Sequence, residues 1–247
     1  MLPPLIAVAH GSRDPRSAAT VAALMQEVRA QRPDLDVRLA FLDLNAPRLP
    51  DVIAGVAADE HRRAVVVPLL LGHAFHARVD VPGEVRRAAH RHPLLDIGVA
   101  EVLGGDDRLE DAALDRLAAV TPLHDPRLGV VLAAIGSSHA PANAAVARIA
   151  GRWTRRFGWA GAAVGYATAN GPSVADTIAT LRRDGARRVA VAPWILAPGL
   201  LPDRIDRAAA DHSVPVAAPL GTHPLVAATV LGRYDDAAAG VPRRAAG

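Results

Sequence analysis

Cysteine is absent from the 247 residues, which excludes disulfides, thiolate metal sites, iron–sulfur clusters and thiol nucleophiles. Lysine is absent too, so all 28 basic side chains are arginine. That removes Schiff-base chemistry and the phosphate-binding G-x-x-x-x-G-K-[ST] loop. Aromatic residues make up only 3% of the chain, which leaves few surfaces on which nucleic-acid bases could stack. No apolar run reaches the roughly 18 residues of a membrane span, and Met1-Leu2-Pro3-Pro4 lacks the charged start of a secretory signal. A net charge of +3 is too balanced to imply nucleic acid as a partner. These absences predict a soluble cytoplasmic protein whose core is built from Ala, Val, Leu and Ile.

What is present is written twice. At an offset of 125 residues, Ala9, Gly11 and Ser12 fall on Ala134, Gly136 and Ser137. Asn45, Pro47, Asp51 and Ile53 fall on Asn170, Pro172, Asp176 and Ile178, while Arg62, Arg63, Val66, Pro68 and Leu71 fall on Arg187, Arg188, Val191, Pro193 and Leu196. One register held over three separated blocks predicts two similar domains, since solenoid units run only about 20–50 residues. The expected division is 1–123, 127–237 and a flexible tail at 238–247, with the join at the prolines Pro122 and Pro126.

Within each copy, short apolar runs alternate with Ala/Arg-rich helical patterns, which predicts βαβ units on a mainly parallel four-stranded sheet. Strands are expected near 4–9, 36–42, 63–70 and 95–100, then 128–134, 161–168, 187–195 and 214–218. Helices are expected near 15–31, 47–58, 81–92 and 107–121, then 141–157, 172–184, 201–211 and 222–236.

Ligands of open parallel sheets bind beyond the carboxyl ends of the strands. The first strand ends in His10-Gly11-Ser12-Arg13-Asp14, and the third runs into Gly72-His73-Ala74-Phe75-His76-Ala77-Arg78-Val79-Asp80-Val81-Pro82. Three histidines on one rim suit a borderline divalent ion such as iron, cobalt, nickel or zinc. In the second copy His10, His73 and His76 face Ile135, Pro198 and Leu201, so the copies share scaffold residues but not imidazoles.

The strand ending in His10-Gly11-Ser12 and the later His76-x-x-x-Asp80-Val81-Pro82 resemble the class II, ATP-independent sirohydrochlorin chelatases in their long two-domain form. The resemblance spans nearly the whole chain. It implies an α/β chain of two tandem Rossmann-like, chelatase-like domains, with a sirohydrochlorin-type tetrapyrrole in the cleft and metal on His10 and His76. Co2+ or Fe2+ would be the substrate metal, with Ni2+ a further candidate and no nucleotide required. Imidazoles serve such a reaction both as exchangeable ligands and as bases.

Asp43 stands where the family more often has a longer Glu. It is an acid/base or third-ligand candidate, the alternative being a buried helix cap. Gly11, Ser12, Arg13, His73 and Arg78 are candidates for substrate contact, because paired guanidinium hydrogen bonds match carboxylates. Plainer roles are a tight turn for Gly11, helix capping for Ser12 and Asp80, and solvated surface for the arginines. His139 lies near the corresponding loop of the second copy.

Two other readings stand beside this one. A tetrapyrrole or metal carrier would use the same residues without turnover. Gly136-Ser137-Ser138-His139-Ala140 comes within one residue of a serine-hydrolase nucleophile elbow, although its Gly-Ser repeats Gly11-Ser12. Because one chain carries both copies, a monomer is expected.

Overall fold

The computed structural model describes residues 2–72, 80–168 and 171–240. The chain runs β1 (Leu5–Ala9), α1 (Pro15–Gln31), β2 (Val37–Phe41), α2 (Leu49–Ala58), β3 (Arg63–Pro68), α3 (Val81–Arg91), β4 (Asp96–Val99) and α4 (Asp107–Ala118). It continues with β5 (Leu128–Ala134), α5 (Ala140–Phe157), β6 (Gly161–Tyr166), α6 (Val174–Arg183), β7 (Arg188–Pro193), α7 (Pro202–Asp211) and α8 (Pro224–Gly240). Two parallel sheets result, ordered β2-β1-β3-β4 and β6-β5-β7. The fold is α/β, as the alternation of patterns requires.

The central strands are Leu5-Ile6-Ala7-Val8-Ala9 and Leu128-Gly129-Val130-Val131-Leu132-Ala133-Ala134, buried along their whole length. Helices cover both faces of such strands, so their sequences are continuously apolar rather than alternating. On one face of the first sheet, Ile6, Val8, Val66, Leu49, Ile53 and Val85 share a cluster; on the second, Val131, Val191, Ile178 and Ile205 do the same. Full burial of side chains of this size stabilises by about 1.5–3 kcal/mol each.

The expected fourth strand at 214–218 is reduced to a single bridge, Val191 to Val216. Val191 N–H donates to Pro215 O and Ala217 N–H to Val191 O, both at 2.9 Å. Pro215 and Pro219 bracket the segment without N–H groups of their own, so the ladder cannot extend.

Two compact units divide the chain differently from the repeat. The first combines the chain through Asp106 with the chain from Thr222, and the second is Asp107–Gly221. Each unit therefore holds the last helix of the other copy: α4 packs on β7, whereas α8 packs on α1, β3 and β4. In the first unit the Tyr234 hydroxyl donates to Pro3 O at 2.7 Å, and Arg233 Nε donates to Val102 O at 2.8 Å. In the second, Trp153 Nε1 donates to Glu110 Oε2 at 3.1 Å, and Arg152 pairs with the same carboxylate. The first residues of the tail expected at 238–247 are helical: α8 runs to Gly240, with Ala238 O accepting from Arg63 Nη2 at 3.0 Å, and the rest of that expected tail lies outside the described residues.

Candidate active site

The carboxyl ends of β1 and β2 are joined beyond the last strand residues. Leu42 N–H donates to Ala9 O and Asp43 N–H to His10 O, at 2.9 and 2.8 Å, which extends the ladder into the loops. Gly11 then turns the chain with φ +99°, and a Cβ there would lie 1.7 Å from Asp43 O. Both the left-handed backbone and the close approach demand glycine. Ser12 N–H donates to Asn45 Oδ1 at 2.7 Å, stapling the loop after β1 to the loop after β2.

The same turn recurs in the second copy. Gly136 has φ +92°, and Ser137 Oγ accepts from His139 N–H at 3.0 Å, as Ser12 Oγ accepts from Asp14 N–H at 3.1 Å. The near-match to a nucleophile elbow is thus one instance of a repeated turn. Ser12 does not cap α1; that role belongs to Asp14, whose Oδ1 accepts from Arg16 N–H at 2.9 Å. The buried Asp14 carboxylate is also paired with the Arg16 guanidinium, whose hydrogen bonds hold it below the usual carboxylate range.

His10, half-buried at the end of β1, and Asp43, after β2, come together on this rim. Asp43 is 59% exposed, which overturns its reading as a buried helix cap. Its Oδ1 accepts from Leu44 N–H at 2.8 Å and from Arg48 Nη1 at 3.0 Å. The Leu44 N–H first, then the Arg48 guanidinium with the neighbouring His10 imidazole, hold the carboxyl below its ordinary value, against a desolvation that pushes it up. At this rim the carboxylate is therefore ionised at neutral pH. Arg13 is exposed beside the turn.

The third strand contributes the next part of the rim. Leu69 N–H donates to Val8 O and Leu103 N–H to Leu70 O, at 2.8 and 2.9 Å. Gly104 lets the loop after β4 close on it, since a Cβ there would lie 2.1 Å from Leu71 O. His73, His76 and Arg78 lie outside the described residues. Asp80 precedes α3 in a helical conformation and makes no capping hydrogen bond with its side chain, so the capping role expected for it is absent. Its αR backbone is not the extended conformation of a capping residue. Among the described residues no three His, Asp or Glu side chains gather as a metal-holding group.

The corresponding rim of the second unit is chemically different. Thr168 stands in place of Asp43, its hydroxyl donating to Ile135 O at 2.7 Å, and Ile135 stands in place of His10. Leu200 and Leu201 are exposed in the loop after β7. Sequence reasoning missed Asn45 and Arg48. Their signal lay in the same repeat register: Asn45 recurs as Asn170, whereas Arg48 breaks the match by facing Ser173.

A duplicated α/β scaffold with a polar rim on one copy matches the family model CbiX over residues 4–120 and 129–237. The chain belongs to the CbiX family. It is 27% identical over 241 residues to the sirohydrochlorin ferrochelatase of Bacillus subtilis, covering 95% of this chain and 92% of that one. The structure of SirB from Bacillus subtilis with Fe3+ superposes with a TM-score of 0.85 at 26% identity, over 97% of both chains. A sirohydrochlorin cobaltochelatase of Methanococcus aeolicus is 26% identical and is matched over 95% of its length by 45% of this chain. That relative corresponds in length to a single copy of the repeat, so this CbiX-family chain carries the duplicated form.

Proposed function

We propose that this protein inserts a divalent metal ion, Co2+ or Fe2+, into sirohydrochlorin without a nucleotide, acting as a chelatase in cobalamin or sirohaem synthesis. The observation that carries this reading is the strand-end rim of the first unit. There a CbiX-family chain brings His10 beside an ionised, exposed Asp43, and the second copy has Ile135 and Thr168 instead.

Insertion requires a loosely held M2+, a macrocycle pressed against it, and removal of two pyrrole N–H protons as the metal bonds to the four macrocycle nitrogens. Neutral imidazole suits both tasks, as an exchangeable ligand and as a base near neutral pH. We assign metal handling to His10 and His76, with Asp43 as a third ligand or proton acceptor. So few protein ligands leave positions open for the incoming macrocycle nitrogens. Arg13, Arg78 and His73, with the turn of Gly11 and Ser12, are assigned to the carboxylate-bearing substrate, which guanidinium groups match with paired hydrogen bonds. Because one chain supplies both copies, we further infer that a monomer is the working unit.

The test is anaerobic absorbance of sirohydrochlorin with Co2+ or Fe2+, with and without protein. Wild type is expected to accelerate metallation, and His10→Ala combined with His76→Ala is expected to abolish the acceleration while leaving the far-UV circular dichroism unchanged. Normal turnover by that double variant would refute the assignment. Tight tetrapyrrole binding without acceleration by wild type would make the protein a carrier.

A further inference from the structure

The N-terminus of α2 departs from its own repeat. In the second copy Ser173 opens α6 with a capping box: Ser173 Oγ accepts from Asp176 N–H at 3.1 Å, and Asp176 Oδ2 accepts from Ser173 N–H at 3.2 Å. At the 125-residue offset, Asp176 corresponds to Asp51, which is kept, and Ser173 corresponds to Arg48. The backbone is ready for a cap, with φ −79° and ψ 151° at Arg48 against −70° and 164° at Ser173, yet α2 has no side-chain cap. A cation at a helix N-terminus is also opposed by the positive end of the helix dipole. Local stability at this position favours serine over arginine on both counts.

What Arg48 does instead is hold Asp43. Its Nη1 donates to Asp43 Oδ1, the oxygen that Leu44 N–H also occupies, while Oδ2 has no hydrogen-bond partner among the described residues. The pair is exposed, 47% for Arg48 and 59% for Asp43, and exposed ion pairs add little to stability. The second copy, which has Ile135 for His10, has neither member: Thr168 and Ser173 stand in their places. A rule of local structure broken without a stability gain marks a functional position.

We propose that Arg48 is a positioning residue of the chelatase reaction, clamping Oδ1 of Asp43 so that Oδ2 is presented to the incoming metal ion or to a departing pyrrole proton. This rests on the chelatase reading and on the role given there to Asp43. Aspartate is one methylene shorter than glutamate, and a carboxylate of short reach depends more on being held in one orientation. Groups that orient a metal ligand typically carry a 10–100-fold effect on affinity or activity.

Arg48→Ser is the informative variant, because it restores the Ser-x-x-Asp box. It is expected to raise the melting temperature by about 2–4 °C while lowering kcat for Co2+ insertion by about 10–100-fold. The KM for sirohydrochlorin should change little, Co2+ binding to the protein alone, read by calorimetry, should weaken, and Arg48→Lys should restore part of the rate. In an Asp43→Asn background, Arg48→Ser should have no further effect on rate or on Co2+ affinity. Equal losses in both backgrounds, a change confined to KM, or an unchanged rate would overturn the proposal; a KM change would mean that Arg48 contacts the substrate carboxylates directly. If wild type fails to accelerate metallation, the chelatase reading falls. The Co2+ cycle then decides alone, coupling of the two substitutions supporting the Arg48–Asp43 clamp and additivity overturning it.

Discussion

Tyr234 links a single side chain to the behaviour of its unit at high pH. Its ring is 1% exposed and its hydroxyl donates to Pro3 O, so burial disfavours the phenolate and pushes the pKa up to about 12. An unfolded tyrosine titrates near 10. The stability this phenol contributes is therefore fully present below about pH 10 and is lost as pH rises through about 12. Tyr234→Phe should cost on the order of 1 kcal/mol at neutral pH, from the lost hydrogen bond, and should flatten the alkaline fall between pH 10 and 12. Urea unfolding at a series of pH values measures both; an undiminished alkaline slope in the variant would assign the fall to other groups. Residue-scale features of the rim were unevenly legible in the sequence. The need for glycine at 11 followed from its place after a strand, because a tight turn restricts the backbone locally. The exposure of Asp43 did not, because whether a loop carboxylate is covered depends on elements distant in sequence.

At the scale of elements, the 125-residue register anticipated most of the structure. The ranges of α6 and β7 are those of α2 and β3 moved by 125 residues, since identical turn and apolar patterns impose identical boundaries. The register fails after β7, where α7 ends at Asp211, 120 rather than 125 residues beyond the Arg91 that ends α3. The fourth strand fails for a chemical reason, the two prolines. The helix partition differs for a topological one. Removing residues 222–247 should uncover the first sheet rather than the second, because Val226, Ala227, Val230, Leu231 and Tyr234 of α8 are buried in the first unit. The loss is expected to be on the order of 5 kcal/mol or more from apolar burial alone. Hydrogen exchange would localise it, with faster exchange in β1 and β3 and retained protection in β5 and β7. Faster exchange confined to β5–β7 would instead assign α8 to its own repeat copy.

For the whole molecule, one chain holding both copies is expected to work alone. Light scattering should give the 25.7 kDa of a single chain, and titration should give one sirohydrochlorin per chain. A stable dimer or two tetrapyrroles per chain would contradict that. The sequence by itself determined the α/β class, the duplication, the parallel strands and the asymmetry of histidines between the copies. All of these are encoded in periodicity, turn residues and residue identity, which act over a few neighbouring positions. Only the tertiary structure decided that α4 and α8 cross to the other sheet and that Arg48 forgoes a helix cap to hold Asp43. The hydrophobic effect that docks a helix is non-directional, so an apolar stripe specifies that a helix will be buried but not against which of two similar sheets. The Arg48–Asp43 pair likewise exists only once the loop after β2 has folded back to start α2.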